Sequence, residues 1–406
     1  MLRTCEHSPA ARNLHTFVKQ TKPTLHISVT PLQRKKVRGN LKRQDERFAT
    51  PLPWLLPLGF DCSPLFLDCL PLGFDCSSLF LIVYILLYKY MKHKFSSILY
   101  LFSFLFLSLS SASAQNPQAW KALEGTLNFY VCNDTGRNGY YDQKPIAELM
   151  GTMAETIGPE CVFAAGDVHH FEGVESTADP LWQTNYELIY SHPELMIPWY
   201  PVLGNHEYRG NTQAVLDYSS ISRRWQMPAR YYSKVFSKKN LSIRFVMIDT
   251  TPLIDRYRQD TLTYPDAVRQ SREAQLAWLD KTLSEAKEDW VVVIGHHPVL
   301  AETSKDVCER EDMQRFLLPI FEKHPNVSLY VCGHIHNFQH LRRSGLSTEF
   351  VVNSAGALSR KVKETEGTVF CSPLTGFSVI SATSNALNLH FIDKEGKVIH
   401  TVSRSK

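Results

Sequence analysis

From residue 127 onward, short apolar runs alternate with stretches whose apolar residues recur at helical spacing. Leu127 to Cys132 predicts a buried strand. Ile146, Leu149, Met150, Met153 and Ile157 then follow the i, i+3, i+4, i+7 spacing of an amphipathic helix. Cys161 to Ala165 and Phe245 to Ile248 predict further strands. Leu276, Leu279 and Leu283 mark a helix that leads directly into a strand at Trp290 to Ile294. Phe316 to Phe321 continues another helix, followed by a strand at Ser328 to Cys332. Phe350 to Val352 and Phe377 to Ile380 read as later strands with no strong helix between them. Alternation of this kind predicts an α/β protein with at least one largely parallel sheet. The later strands are expected to form a second, antiparallel or mixed portion. No linker-like stretch divides residues 115–406, so they read as one domain.

The first ninety residues follow a different pattern. PLGFDCSPLFL, from Pro57 to Leu67, recurs almost unchanged from Pro71 to Leu81, and two copies are too few for a solenoid. From Met91 the chain has a basic start at Lys92 and Lys94 and an apolar core from Ile98 to Leu109. Ala112-Ser113-Ala114 follows, before Gln115. These are the parts of a secretory signal peptide, residues 91–114. Residues 1–90 are then a doubtful N-terminal extension. The apolar run from Leu79 to Tyr88 is about half the roughly 20 residues a spanning helix needs. The expectation is a secreted or periplasmic mature protein with no stable membrane span.

Composition adds exclusions. The net charge is +4, and much of the basic excess lies in the first ninety residues. No basic stripe interleaved with aromatics follows, so nucleic acid is not an expected partner. Export implies an oxidising compartment. Cys132, Cys161 and Cys332 end apolar runs and read as buried strand residues, which leaves Cys308 and Cys371 as a candidate bridge.

Five segments follow strand ends: Asn133-Asp134-Thr135-Gly136, Gly166-Asp167-Val168-His169-His170, Gly204-Asn205-His206-Glu207, Gly295-His296-His297-Pro298 and Gly333-His334-Ile335-His336. In each, a glycine stands beside a carboxylate, an amide or an imidazole. Glycine allows a sharp turn, so the neighbouring side chain is expected to project over the carboxyl edge of a sheet, where α/β proteins bind ligands. Singly these segments are weak signals. A lone Asp after a strand is usually a helix cap. Two imidazoles two residues apart are more specific, and the five in this order form a joint signal.

That order resembles the calcineurin-like metallophosphoesterases, and within them the purple, or tartrate-resistant, acid phosphatases of the small animal type. The likeness extends to Pro198-Trp199-Tyr200, to Tyr218 through Trp225, to Gln275-Leu276-Ala277-Trp278-Leu279, and to the run from Gly333 to Leu341, which resembles the family's GHDHNLQYL. It covers roughly residues 126 to 360. It implies an α/β/β/α sandwich of two mixed sheets with helices outside. It also implies two metal sites, one of Asp134, Asp167, His170 and His336, the other of Asp167, Asn205, His296 and His334, with Asp167 bridging. Carboxylate, amide and imidazole donors suit Fe, Zn or Mn.

The sequence departs from the family at two places. A tyrosine whose bond to ferric iron gives the purple colour is replaced by His170, so a purple Fe(III)–tyrosinate centre is not expected. His169 is a rival ligand, with a loop position facing solvent or substrate preferred for it. The family's second proposed acid histidine is also missing, and Glu302 or Lys305 stands in that stretch. The resemblance implies a metal-bridging hydroxide that attacks a phosphate monoester, with His206 holding the phosphate or protonating the leaving group. His297 reads as packing. Arg137, Tyr208 and Arg209 are candidate substrate contacts. Expected substrates are phosphorylated small molecules or phosphoproteins. A phosphodiesterase on the same fold and a weakly catalytic metal-containing binding protein are the alternatives.

Overall fold

The computed structural model describes Lys89 and residues 117–303, 307–353 and 356–406. The upstream repeat, the N-terminal extension, the signal peptide and Lys305 lie outside the described residues.

The chain enters through a short helix, α1 (Pro117–Lys121), and strand β1 (Leu127–Cys132). Helix α2 (Gln143–Ile157) then buries the Ile146, Met150 and Met153 stripe that its spacing predicts. It stops at Gly158, whose φ of 61° is the left-handed conformation common just past a helix end. Strands β2 (Val162–Ala164) and β3 (Trp199–Pro201) pair in parallel beside β1. After helix α3 (Thr212–Asp217), β4 (Tyr232–Lys238) and β5 (Leu241–Met247) form a hairpin. Helices α4 (Asp255–Gln259) and α5 (Arg272–Ser284) lead to β6 (Trp290–Ile294). Ser271 caps α5 by accepting the Ala274 N–H at 3.1 Å. Helix α6 (Val307–Lys323) leads to β7 (Val327–Cys332).

The remaining strands are β8 (Phe338–Leu341), β9 (Glu349–Val352), β10 (Thr368–Ser372), β11 (Gly376–Ala382), β12 (Ala386–Asp393) and β13 (Val398–Ser405). They do not form a separate portion, as the sequence suggested. They complete two mixed sheets, ordered β13-β12-β11-β1-β2-β3 and β10-β8-β9-β7-β6-β5-β4. Six strands were not expected from the sequence, β3, β4, β8, β10, β12 and β13; β3 and β4 lack a continuous apolar run, and β8 follows the His-rich loop directly.

The sheets face each other through interlocked rings. Phe245 of β5 lies 4.7 Å from Phe129 of β1 and 4.1 Å from Phe163 of β2. Phe338 of β8 lies 4.6 Å from Phe391 of β12. Such aromatic pairs bury large areas and fix the sheets' relative rotation. The Cys308–Cys371 bridge is not made. Cys371 carries a free thiol on β10, opposite Gln339 of β8, and Cys308 is disulfide-bonded without it. Cys132, Cys161 and Cys332 are buried free thiols, as their apolar surroundings predicted.

Candidate metal centre

The five glycine-containing segments leave the carboxyl ends of β1, β2 and β3 in one sheet and of β6 and β7 in the other. Because these strands are neighbours, their loops converge on one edge of the sandwich. The glycines mostly allow close approach rather than turning. A side chain at Gly204 would collide with the Asp167 carboxylate, and one at Gly166 with the His296 ring. The sharp turns are made by the functional residues themselves. Asp134 (φ 51°), Asp167 (φ 53°), His334 (φ 73°) and His336 (φ 60°) all adopt the left-handed conformation, uncommon for residues with a side chain. Concentration of that strain at one edge marks a site held in shape by its surroundings.

Glu207 does much of that holding. Fully buried, it accepts backbone N–H bonds from Asp167 (2.9 Å), His169 (3.0 Å) and Gly204 (2.8 Å), locking the loops after β2 and β3 together. Across the sheets, the Asn353 amide donates to Asn133 Oδ1 at 2.6 Å and accepts from Ser378 at 2.6 Å. Neither clamp was assigned a role from the sequence. Only the position of Glu207 in the Gly-Asn-His-Glu segment hinted at one.

Each carboxylate spends one oxygen on the protein and turns the other inward. Asp134 Oδ2 accepts from the Asn133 amide (2.6 Å) and the His334 N–H (2.8 Å), while Oδ1 has no hydrogen-bond partner. Asp167 Oδ1 accepts the His206 N–H at 3.0 Å. Its Oδ2 lies 3.1 Å from His296 Nε2 and 3.5 Å from His170 Nε2. His336 Nε2 is 3.2 Å from Asp134 Oδ1. The buried Asn205 Oδ1 and both His170 nitrogens lack partners.

Three imidazoles are aimed by bonds on their outer nitrogens. Only an N–H can pair with a carbonyl oxygen or an ionised carboxylate. His296 therefore donates from Nδ1 to Ala165 O (2.9 Å), His336 from Nδ1 to Leu358 O (2.8 Å), and His334 from Nε2 to Glu309 (2.9 Å). The other nitrogen of each is the one turned to the site. Burial holds His170 neutral, well below the usual imidazole range. Burial also favours neutral His296, but the adjacent Asp167 and Asp134 carboxylates overcome it and raise the imidazole to about 10.

This donor set fits a pair of metal ions. Donor atoms fall into overlapping groups that could each hold one: Asp134 with His170 and His336, Asp134 with Asp167 and His296, Asp167 with His170 and His206, and His296 with His297 and His334. Donors sharing a tetrahedral ion such as zinc, bonded at about 2.1 Å, sit about 3.4 Å apart, close to the 3.1–3.5 Å separations found. Buried inward atoms without partners are otherwise costly, and a cation would satisfy them. Oxygen and imidazole donors with no thiolate suit Fe, Zn or Mn.

The remaining candidates separate. His206 donates from Nδ1 to Phe171 O (2.7 Å) and turns Nε2 toward Asp167 Oδ2, 3.9 Å away. Arg137 is buried, its Nε is unpartnered, and its charge is felt at Asp134 and Asp167. Tyr208 does not face the opening. It is wholly buried and its hydroxyl donates to Asp249 behind the site. Arg209 braces the neighbouring loop through Phe171 O (3.4 Å) and the Tyr264 hydroxyl (3.2 Å). His169 faces neither solvent nor substrate. It is fully buried against Trp182 (4.3 Å) and Trp225 (6.5 Å), because the aromatic layer behind the loop encloses it. His297 is also buried, with Nδ1 on the Thr250 hydroxyl at 2.8 Å.

The calcineurin-like phosphoesterase family model matches residues 127–338. The chain is 33% identical over 269 residues to tartrate-resistant acid phosphatase type 5 of Sus scrofa, covering 62% of this chain and 77% of that one. It is 31% identical over 322 residues to purple acid phosphatase 4 of Arabidopsis thaliana, covering 75% and 92%. Among solved structures, GAP50, the anchor in the inner membrane complex of Plasmodium, superposes with a TM-score of 0.58 at 22% identity, covering 69% of this chain and 88% of that one. A dimetal phosphatase from Danio rerio gives 0.51 at 15% identity, covering 70% and 99%. With the matching sequence, the two mixed sheets and the cluster of oriented ligand-type side chains at their shared edge, the chain belongs to the calcineurin-like metallophosphoesterases, related to the purple and tartrate-resistant acid phosphatases.

Proposed function

We propose that the protein is an exported phosphoric monoester hydrolase that works with two metal ions. The observation that carries this reading is the set of inward donor atoms without protein partners, backed by histidines whose outer nitrogens are already committed. In this reading Asp134, Asp167, His170 and His336 hold one ion, and Asp167, Asn205, His296 and His334 the other. When bound, such a pair acidifies water and neutralises charge on a phosphoryl group.

The chain's own residues supply the rest. Arg137, buried beside the two carboxylates, is placed to bind phosphoryl oxygens, for which a guanidinium is well suited. His206 keeps its Nδ1 proton on Phe171 O, so its Nε2 is the atom that can pass a proton to or from the reacting ester. A cavity of about 400 Å³ opens beside Ile335 and Asn337, lined also by Glu302, Arg360, Lys361 and Lys363. It is the proposed seat of the leaving group, and its cationic lining favours phosphorylated molecules or peptides that carry further negative charge. Glu302 lines the same cavity, its backbone clamped by Gln339 through bonds of 2.7 and 2.8 Å.

The test is metal content measured together with hydrolysis of a chromogenic phosphate monoester, for wild type and His170→Ala. Two bound ions, turnover, and loss of one ion with most activity in the variant support the reading. Two bound ions without monoester turnover would move the assignment to diesters or to binding. Absence of metal from the wild type would overturn it. Export is tested by mass spectrometry of the mature N-terminus, with Gln115 the expected first residue.

A further inference from the structure

Beyond the loops of the centre, one buried carboxylate touches it. Glu309, on the first turn of α6, is 4% exposed. Its Oε2 accepts the proton on His334 Nε2 at 2.9 Å. Its Oε1 accepts from the Tyr257 hydroxyl at 2.6 Å and from Arg256 at 3.1 Å. Tyr257 is buried on α4, and its oxygen lies 3.3 Å from His297 Nε2. Both carboxylate oxygens are thus engaged, and the rotamer of Glu309 is fixed by α4, an element outside the metal loops, as well as by His334.

We propose that Glu309 is a positioning residue for the second ion, the one assigned to Asp167, Asn205, His296 and His334; this rests on the two-metal reading above. The argument compares the three oriented imidazoles. His296 and His336 donate to neutral backbone carbonyls. His334 alone donates to an ionised carboxylate. A charged acceptor withdraws the proton more strongly and leaves the opposite nitrogen a better electron donor. The bond also restrains a ring on a residue whose backbone is left-handed. The two half-sites therefore differ in their outer support: the half containing His334 has an anionic brace, and the half containing His336 has none through its histidine.

The consequence is selective. Losing such an outer partner weakens metal binding roughly 10- to 100-fold. Glu309→Gln keeps the shape and can still accept from His334, but removes the charge. It should lower affinity for one ion about 10-fold or more and leave the other unchanged. The melting temperature of the metal-free protein should not change. Glu309→Asp, which restores a carboxylate, should recover part of the affinity. Tyr257→Phe, which leaves the His334–Glu309 bond intact, should shift affinity less than Glu309→Gln.

The experiment is titration of metal-free full-length protein with Zn²⁺ against a chromophoric chelator, for wild type and the three variants. One selectively weakened ion in Glu309→Gln confirms the proposal. Equal affinities in wild type and Glu309→Gln, or equal weakening of both ions, overturn it while the two-metal reading survives. A wild type that binds no Zn²⁺ overturns both.

Discussion

At the scale of single residues, the centre depends on a few atoms whose alternatives are closed off. Among the described residues Arg137 has no carboxylate within ion-pair distance to compete with a phosphoryl group, so Arg137→Ala should lower kcat/KM for a monoester by about 100-fold, on the order of 3 kcal/mol of transition-state binding, with metal content unchanged in the same preparations. His170→Tyr tests the proposed exchange of an imidazole for a phenolate at this position. With ferric iron supplied, the variant should gain a visible absorption band that wild type lacks, and a colourless iron-loaded variant would place position 170 away from the metal. The Asp and His side chains that gather at the edge were legible in the sequence, because such residues after glycine at strand ends carry chemistry whatever their neighbours. The orientation of Tyr208 and His169 was not legible. Loop proximity says nothing about which side of a loop an aromatic layer covers, and Trp182, Trp225 and the buried Asp249 decide it.

At the scale of elements, strands with continuous apolar runs were readable almost to the residue, as at Leu127–Cys132 and Trp290–Ile294. The three-residue strand β3 is set by its parallel neighbour β2 rather than by local pattern. Glu207 shows why the wiring between elements escaped the sequence. Its role comes from three N–H groups in two loops, at positions whose side chains play no part in the bonds. Glu207→Ala would leave these buried donors without acceptors, at about 1–3 kcal/mol each. The expected outcome is a lower urea midpoint and weakened binding of both ions together, in contrast to the selective effect of Glu309→Gln. Equal urea midpoints for variant and wild type would show that the clamp contributes no stability.

At the scale of the whole molecule, stability should fall on the acid side of neutrality. His390, between Ser381 (3.1 Å) and Thr401 (2.9 Å), is pushed down to about 4 by burial. His400 is pushed down to about 4 by burial, helped by the nearby charges of His340 and Arg342. Between pH 6.5 and 4 the unfolded chain takes up these protons and the folded chain does not, so each contribution is complete above about 6.5 and is lost as pH falls. Asp249 works the other way. Burial raises it to about 7 against the pull of Arg230 and Tyr208, so the folded state is favoured as pH drops from 7 toward 4. Outside the metal centre these two groups oppose one, and denaturation in urea should show a lower midpoint at pH 5 than at pH 7.5. His390→Gln should flatten that difference by up to about 2 kcal/mol. An unchanged difference would remove His390 from the account.

The left-handed backbone at Asp134, Asp167, His334 and His336 bears on how such a protein changes over generations. Asparagine tolerates that conformation better than most residues. Asp167→Asn would keep the His206 bond through Oδ1 and offer an amide to His296 in place of a buried charge beside Asp134. The neighbouring histidines hold Asp167 well below the usual carboxylate range, so the metal-free variant should melt lower than wild type for want of the ion pair with His296. A lineage that ceased to need bound metal would therefore keep these carboxylates and imidazoles for a time as structural ion pairs, and the edge of the sandwich would hold its shape longer than its metals.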